Sequence, residues 1–434
     1  FHSKNGSRQM LKVKCQMLRR IGPVFGRKRF WINFNLFMDR IPPFAKIQLF
    51  IVRLWIKWLN FWLVFFQNIL FRKLKSTPKN ILIYKIGNIG DTVCAIPSFI
   101  AIRRAYPEAK IVLLTSPGKK GVLGAKELLS GAWYLDNLET YYAEDIDSLK
   151  RKINFAKKLR ENKYDLFIQL PDDLVNFRTL FRNMIFTKLI GAKSAFGFKI
   201  RTIQLFKKTQ VDHLLQETEV ESLLNLLREN SIGKGKIEYD FNISEQQKKH
   251  INDILNQKFG NFKKSDIIVA ISAGGKKESN QWPRERFKEV VEYLCKKYNA
   301  KIVIIGGGAD VFQAKVIAQN LENKDYLIAA GEIGILETIE LLKRCSFLIS
   351  NSTGTIHLAT AVGLPAIGIY GVRDVFGRWF PYGQQHKILY HKFIDCNYKK
   401  EECIKRSIEL ISVEEVISVC ERIIKEIKLI KEKS

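Results

Sequence analysis

The sequence predicts an α/β protein built from two doubly wound parallel sheets, with a basic amphipathic leader in front of them. The 434 residues suit two or three domains of roughly 150 residues each. From about residue 80, short β-rich runs alternate with helical patterns, and the alternation occurs twice. Most runs are almost continuously apolar, as parallel strands covered by helices on both faces are. The 46% hydrophobic content excludes a disordered chain and a polytopic membrane protein.

The leader, residues 1–76, contains 16 Lys and Arg residues against one acid, Asp39. Its apolar, Trp-rich part is expected to form a helix with one polar stripe, at Lys46, Arg53, Lys57, Asn60 and Gln67. The pattern predicts a peripheral helix that binds the membrane surface through residues 44–75, with its cations at the headgroups. The alternatives are packing on the protein's own body and a bilayer-spanning helix. Spanning would place two cations near mid-membrane, at about 2.5–3.5 kcal/mol each.

The net charge of +29 predicts anionic partners: phospholipid headgroups, a phosphorylated acceptor or nucleic acid. Nucleic acid is disfavoured, because the charge is concentrated in the apolar leader and no nucleic-acid motif is recognisable. The seven cysteines are scattered and form no Cys-x-x-Cys pair. We therefore expect no disulfide scaffold and no zinc ribbon, and a reducing compartment fits best.

Behind the leader, the elements follow in a regular order. Strands are predicted at 81–84, 111–115, 166–170, 267–272, 302–305, 347–350 and 366–370, with helices at 97–106, 284–298 and 336–344 among those between them. We expect a first domain over 77–245, a polar connector over 246–264, a second domain over 265–412 and a final amphipathic helix over 413–434. Two such domains facing each other form a cleft, and ligands gather at the carboxyl ends of the strands.

The first candidate site follows the first strand. Gly87 and Gly90 allow a tight turn and a close approach of the backbone to a ligand, but the Gly-x-Gly start of the dinucleotide fingerprint is missing. Asp91 comes next, at the start of a helix beginning around 92–97. From spacing alone an N-capping aspartate is the favoured interpretation. The functional alternative is a carboxylate general base directed at a substrate hydroxyl.

The second candidate site is a loop of small residues between a strand and a helix: Ser352, Thr353, Gly354 and Thr355. The amides at the start of that helix, together with its dipole, form an anion site suited to a diphosphate. The hydroxyls of Ser352 and Thr353 can add donors, although ordinary capping would use the same residues. His357 is either a buried structural histidine or a contact to phosphate or sugar.

Two further glycine turns follow strands in the second half. Lys276 and Lys277 could neutralise a leaving phosphate, although solvated loop charge is the simpler interpretation for either residue. Asp310, after three consecutive glycines at 306–308, could bind a ribose. Each turn is weak support by itself. Four loops at the carboxyl ends of strands, in chain order, predict one ligand cleft together.

As an ensemble, these motifs resemble glycosyltransferase family 9, the bacterial lipopolysaccharide heptosyltransferases. The segments that carry the resemblance are Gly90-Asp91 with Pro97 and residues 106–109, then Trp282-Pro283, Ser352-Thr353-Gly354 with His357, and residues 363–371. The resemblance covers residues 80–385, in the family's order. The leader has no counterpart in the family pattern.

The resemblance implies a GT-B fold, in which two Rossmann-like domains face each other with the acceptor on the first and the nucleotide-sugar on the second. It also implies inversion of the anomeric centre without a metal or other cofactor, with ADP-heptose as the expected co-substrate. Asp91 matches the family's general base. The amides of Thr353, Gly354 and Thr355 match its diphosphate cradle.

Two donor-side positions depart from the family pattern. Asn280 stands where family members typically carry a phosphate-binding lysine, a role that Lys276 or Lys277 could take over. Ser352 stands where the family has Asp. Because both departures concern the donor, they leave the identity of the donor open.

The sequence thus predicts a glycosyltransferase peripheral to the cytoplasmic face of the bacterial inner membrane. It would move a heptose or related sugar from a nucleotide-diphosphate sugar to an anionic glycolipid acceptor, such as a lipopolysaccharide core. One alternative is a catalytically inactive, membrane-associated sugar-nucleotide-binding homologue, suggested by Asn280 and Ser352. The other is a nucleotide-sugar epimerase on the same fold.

Overall fold

The computed structural model describes residues 43–118, 124–201, 216–233, 236–260, 266–275, 277–373, 376–391 and 400–432. Both sheets lie in one compact unit, Val52–Ser434. Residues 1–42 of the predicted leader lie outside the described residues, and so does Lys276.

The first sheet has five parallel strands in the order β3-β2-β1-β4-β5. They are β1 (Asn80–Tyr84), β2 (Lys110–Thr115), β3 (Asn137–Thr140), β4 (Leu166–Gln169) and β5 (Ser194–Phe196). The strands predicted at 81–84, 111–115 and 166–170 correspond to β1, β2 and β4. The outer strands β3 and β5 were not predicted, because runs of four and three residues give too little pattern.

The second sheet has six parallel strands in the order β11-β10-β9-β6-β7-β8. They are β6 (Ile268–Ser272), β7 (Lys301–Ile304), β8 (Tyr326–Ile328), β9 (Phe347–Asn351), β10 (Ala366–Tyr370) and β11 (Lys387–Tyr390). The four predicted strands of this half match β6, β7, β9 and β10 to within one residue at each end. The outer strands β8 and β11 were missed for the same reason as β3 and β5.

Helices cover both sheets. They are α1 (Pro43–Leu70), α2 (Ile89–Ala105), α3 (Ala125–Leu129), α4 (Leu149–Arg160), α5 (Phe177–Leu189), α6 (Glu219–Arg228), α7 (Glu245–Phe259), α8 (Arg284–Tyr298), α9 (Val311–Ala318), α10 (Ile335–Arg344), α11 (Gly354–Ala361), α12 (Lys400–Glu409) and α13 (Val413–Glu432). The expected fold class, two doubly wound parallel sheets, is confirmed. The domain boundaries stay predictions.

Two local expectations need correction, the start of α2 and the absence of a disulfide. Helix α2 begins at Ile89, ahead of the predicted start at 92–97, and Pro97 lies inside it. Helix α7 covers most of the predicted connector, as its helical composition indicated, and buries Ile251 and Leu255. Cys403 is disulfide-bonded, although the scattered cysteines indicated no disulfide.

From Val52 onward, helix α1 packs on the body of the protein through one apolar face. Leu63 is fully buried there, and Ile56, Leu59, Phe66 and Leu70 are partly buried around it. Asn60 exchanges two hydrogen bonds with the backbone of Ile200, donating to the carbonyl at 3.1 Å and accepting from the amide at 2.8 Å. Asn60 therefore faces the protein, and its assignment to a headgroup-facing stripe was wrong.

The opposite face of α1 is exposed and equally apolar. Leu54, Trp55, Trp58, Phe61, Val64, Phe65 and Ile69 are each 44–64% exposed. At 100° per residue, Arg53 and Lys57 lie between the packed face and the exposed face. By length and composition, the segment Phe50–Leu70 could cross a membrane.

Candidate active site

The starts of helices α2 and α11, one from each half of the molecule, touch at the carboxyl ends of β1 and β9. A Cβ placed on Gly90 would lie 3.2 Å from the Cα of Gly354 and 3.3 Å from Cδ2 of His357. A Cβ on Gly354 would lie 3.1 Å from the amide nitrogen of Gly90. Glycine at both positions therefore lets two helix N-termini, each a centre of positive potential, converge on one place.

Asp91 lies in the first turn of α2, as its third residue. The N-cap of the helix is Asn88, whose amide donates to Oδ2 of Asp91 at 2.9 Å. The spacing had suggested Asp91 as the N-cap, and this expectation was wrong. Asp91 is the N3 residue of a capping box. Its side chain lies over Gly87, where a Cβ would come within 2.4 Å of the Cβ of Asp91 and where φ is +147°. Glycine at 87 thus makes room for a carboxylate that stays partly exposed.

Near Asp91 lies a cluster of six charged side chains that the sequence analysis did not identify. Its members are Lys85, Asp172, Asp173, Arg201, Glu219 and Arg378. Nζ of Lys85 lies 3.1 Å from Oδ1 of Asp172 and 3.6 Å from Oε1 of Glu219. Arg201 grips Glu219 with two hydrogen bonds, of 2.8 and 3.1 Å. The three cations balance the three carboxylates, so the cluster carries no net charge of its own.

Arg378 links this cluster to the second half of the molecule. Its Nε lies 3.1 Å from Oδ1 of Asp173, and both side chains are almost fully buried. The backbone continues the link, because the amides of Gln216 and Glu219 donate to the carbonyls of Phe376 and Arg378, both at 2.8 Å. The segment after β10 is thereby fixed to the start of α6.

Burial and neighbouring charges shift the pKa values of this cluster in opposite directions. Burial lowers the pKa of Lys85, but Asp172, Glu219 and Asp91 outweigh it, so the pKa is raised and the ammonium stays charged. Burial raises the pKa of Asp172, against the pull of Lys85, and the charge of Asp91 adds to the increase. Glu219 has a lowered pKa, because Arg201 and Lys85 outweigh its burial.

On the opposite side, the predicted small-residue loop forms the start of α11. Thr353 is the N-cap, and residues 352–355 are partly exposed. The Thr355 hydroxyl accepts from the Ser272 hydroxyl at 3.2 Å, and the Ser352 amide donates to the Ile369 carbonyl at 3.1 Å. The loop is thus fixed to β6 and β10. The Ile356 amide donates to the Thr353 carbonyl at 3.2 Å, whereas the amides of Gly354 and Thr355 come too early in the helix to have an acceptor within it.

Asn351 is a supporting residue that the sequence analysis passed over. Its side chain is fully buried and donates to the carbonyl of Ala273 at 2.6 Å. It also accepts from the amide of Trp282 at 3.0 Å. Asn351 therefore connects the segment after β6, which contains Gly274 and Gly275, to the loop at the start of α11. The available signal was a polar residue at the end of an otherwise apolar strand.

His357 is buried where α11 meets α2. Its Nδ1 lies 3.4 Å from Sγ of Cys94, and burial lowers its pKa to about 4. The imidazole is therefore neutral near pH 7 and brings no positive charge to a phosphate. This geometry favours the structural interpretation over a charged contact.

The other predicted donor-side residues have different environments. Lys277 is exposed, whereas Asn280 is 8% exposed and, among the described residues, its Oδ1 has no hydrogen-bond partner. Asp310 accepts from the Gly307 amide at 2.8 Å. It also lies against Gly274, where a Cβ would come within 2.3 Å of Oδ1 of Asp310. Asp310 thus stabilises the turn at 306–310, next to Gly274.

Two doubly wound parallel sheets, joined at converging helix starts, define the GT-B class of glycosyltransferase folds. The chain belongs to glycosyltransferase family 9 (heptosyltransferase), whose family model matches residues 152–408. It is therefore an enzyme of the glycosyltransferase class. Among the described residues, no group of three or more His, Cys, Asp and Glu side chains is arranged to hold a metal ion.

Known proteins share this architecture over most of the chain. Lipopolysaccharide heptosyltransferase 3 of Escherichia coli K12 is 24% identical over 352 residues, which cover 78% of this chain and 96% of that protein. A family 9 glycosyl transferase from Veillonella parvula superposes with a TM-score of 0.63 at 20% identity, covering 80% of this chain and 98% of that one. The E. coli ADP-heptose lipopolysaccharide heptosyltransferase II gives 0.58 at 17% identity, covering 80% and 99%. At these identities the two solved structures support the fold alone.

Proposed function

We propose that this chain is an inverting glycosyltransferase that moves a heptose or related sugar from a nucleotide-diphosphate sugar to a lipopolysaccharide core or similar anionic glycolipid. The observation that carries the proposal is the contact between the starts of α2 and α11. This contact supports the proposal, because Asp91 follows Gly90 in the first turn of α2 and a helix start such as that of α11 is suited to bind an anion. The names of the E. coli relatives support heptose as the sugar and ADP-heptose as the donor.

Asp91 is the proposed general base. Its carboxylate takes the proton of the acceptor hydroxyl while that oxygen attacks the anomeric carbon from the face opposite the leaving diphosphate. One bond from carbon to the acceptor oxygen forms, the bond to the diphosphate oxygen breaks, and the configuration inverts. The hydrogen bond from Asn88 fixes the orientation of the carboxylate and leaves its other oxygen for the acceptor.

The leaving diphosphate is proposed to bind at the start of α11. The amides of Thr353, Gly354 and Thr355 donate to its oxygens, and the hydroxyls of Ser352 and Thr353 add donors. The start of α2 contributes a second positive helix end at the same place. This arrangement stabilises the developing negative charge with fixed dipoles, so we propose that the reaction needs no metal. We propose that Asp310 binds the ribose, and that Asn280, in place of the family's lysine, and Lys277 lie on the phosphate side of the donor.

We further propose that the enzyme is peripheral to the cytoplasmic face of the bacterial inner membrane, attached through the exposed face of α1. That face presents Trp and Phe side chains, which are suited to a membrane interface. Arg53 and Lys57 flank it, in position to contact anionic headgroups. The packed face, held by Leu63 and Asn60, keeps the helix flat on the body and supports peripheral attachment over spanning.

The test is a transfer assay with ADP-heptose and lipopolysaccharide truncated at the inner core, with and without a chelator. We expect a product with inverted anomeric configuration by NMR, and the same rate in EDTA. Retention of configuration, or loss of the rate on chelation, would contradict the mechanism. Donor binding by calorimetry without transfer to any truncated acceptor would favour the inactive sugar-nucleotide-binding homologue instead.

A further inference from the structure

We propose that Asp172 is a specificity-determining residue for the acceptor, which binds the hydroxyls of a neutral sugar unit beside the reacting hydroxyl. This inference rests on the proposed function above, because it concerns the acceptor of that transfer. Asp172 follows β4 in the first sheet, on the same edge as Asp91, which follows β1. Asp172 does not belong to any of the sequence motifs that carry the resemblance to glycosyltransferase family 9.

The exposure of Asp172 separates it from the rest of the charged cluster. Its side chain is 42% exposed, whereas those of the five other members are at most 4% exposed. Five of the side chains are therefore buried inside the protein, and only the carboxylate of Asp172 reaches solvent. A purely structural ion pair does not need an exposed carboxylate, whereas a contact to the substrate does.

Asp172 is also held in place from behind. Its Oδ1 accepts from Nζ of Lys85 at 3.1 Å, and Lys85 is anchored by Glu219 at 3.6 Å. Glu219 is in turn gripped by Arg201 with two hydrogen bonds. Among the described residues, Lys85 is the sole hydrogen-bond partner of the Asp172 carboxylate. A carboxylate fixed by a buried chain of ion pairs loses little freedom when a sugar hydroxyl donates to it.

The charge around Asp172 selects the chemistry of that sugar unit. Asp91 and Asp172 follow β1 and β4, which pair as parallel neighbours, so both carboxylates lie at the same end of adjacent strands. The charge of Asp91 accordingly adds to the raised pKa of Asp172. A phosphate placed between two carboxylates would be repelled, whereas hydroxyl groups would donate to both. The region beside the base therefore suits an unphosphorylated, hydroxyl-rich ring. Anionic groups of the acceptor are expected to bind elsewhere.

The experiment measures acceptor kinetics of the full chain with Asp172→Asn, which keeps the shape and removes the charge. The probe is inner-core-truncated lipopolysaccharide, used as isolated and after dephosphorylation with hydrogen fluoride. We expect the KM for the isolated acceptor to rise at least tenfold, equivalent to about 1.4 kcal/mol. The donor Kd by calorimetry should stay at the wild-type value. The melting temperature should fall, because the buried Lys85 loses its nearest carboxylate. The matched control is Asp147→Asn, an exposed aspartate paired with Arg151 on the surface, which should change none of these quantities.

The repulsion between Asp172 and a phosphate leads to a second expected result. In Asp172→Asn, the KM of the phosphorylated acceptor relative to the dephosphorylated one should fall below the wild-type ratio. An unchanged acceptor KM or an unchanged ratio overturns the inference. So does a donor Kd that changes by the same factor as the acceptor KM, because that would indicate a general disturbance of the site.

Different results would refute the proposed function and the role of Asp172. Absence of transfer by the wild-type chain, or normal transfer by Asp91→Asn, would refute the proposed function itself. Transfer by the wild type, loss in Asp91→Asn and an unaltered acceptor KM in Asp172→Asn would refute only the role of Asp172.

Discussion

Glu219→Gln removes the carboxylate at the centre of the buried charge cluster. Three cations face that carboxylate: Arg201 at 2.8 Å, Lys85 at 3.6 Å and Arg378 at 3.8 Å. The glutamine fills the same space but carries no charge. The variant therefore leaves two carboxylates, Asp172 and Asp173, to balance three buried or ion-paired cations.

Breaking a buried ion pair by removing one partner destabilises a protein by about 3–5 kcal/mol, because the remaining charge stays buried without compensation. We expect Glu219→Gln to fall in this range. The matched control is Glu229→Gln, which breaks a 2.6 Å pair with Lys199 whose members are 40% and 52% exposed. Exposed pairs of this kind contribute about 0.2–1 kcal/mol.

The assay is urea denaturation of both variants and the wild type, followed by fluorescence, at several pH values. Because the pKa of Glu219 is lowered in the folded state, its stabilisation is present above the usual value of 4.5 and is lost as the pH falls through the folded pKa. The difference between wild type and Glu219→Gln should therefore shrink below pH 4.5. Equal destabilisation by the two variants at pH 7 would refute the reasoning.

Three further predictions follow from the geometry. Replacing Trp58, Phe61 and Phe65 by Ser should lower binding to anionic liposomes about 30-fold or more in a flotation assay. The reason is that three half-exposed aromatic side chains contribute about 2–4 kcal/mol to membrane binding. Unchanged flotation would exclude the exposed face of α1 as the membrane-binding surface. Gly354→Ala should push the starts of α2 and α11 apart and lower kcat/KM. The control Gly308→Ala, whose Cβ meets nothing within 4 Å, should leave kcat/KM unchanged. Equal effects of the two variants on kcat/KM would contradict the close contact. Because burial lowers the pKa of His357 to about 4, His357 should not change its charge near pH 6.5. The wild type and His357→Gln should therefore show the same dependence of kcat/KM on pH in that range, and a step that only the wild type shows would contradict this.

Much of the fold was accessible from sequence because its central strands are continuous apolar runs followed by glycine turns. β1 and β6 are of this kind, whereas β9 ends in Ser350 and Asn351 before the small-residue loop. The roles of the loops that follow these strands stay predictions. The outer strands β3, β5, β8 and β11 have three or four residues each, so their pattern is too short to separate from loops. Their positions are set by pairing with a neighbour, which sequence periodicity does not report.

The charged cluster could not be predicted for a different reason. Lys85 and Arg378 are 293 positions apart, and each resembles an ordinary surface charge in its local sequence. Only the topology, which places the ends of β1, β4, β5 and β10 near one another, brings them together. Helix α1 shows the same limit, since its periodicity indicated an apolar helix but not that one apolar face is packed and the other exposed.

The central claim is that Asp91 takes the acceptor proton. The most direct measurement is the kcat of Asp91→Asn, because asparagine keeps an oxygen to accept the Asn88 amide and so preserves the start of the helix. The control is Glu127→Gln, which alters the same capping position in α3, where the Glu127 side chain accepts from the Gly124 amide at 2.9 Å. We predict that kcat falls by about 10²–10⁴-fold in Asp91→Asn, with the donor Kd unchanged, and stays at the wild-type value in Glu127→Gln. A kcat for Asp91→Asn within a few-fold of wild type would contradict the account.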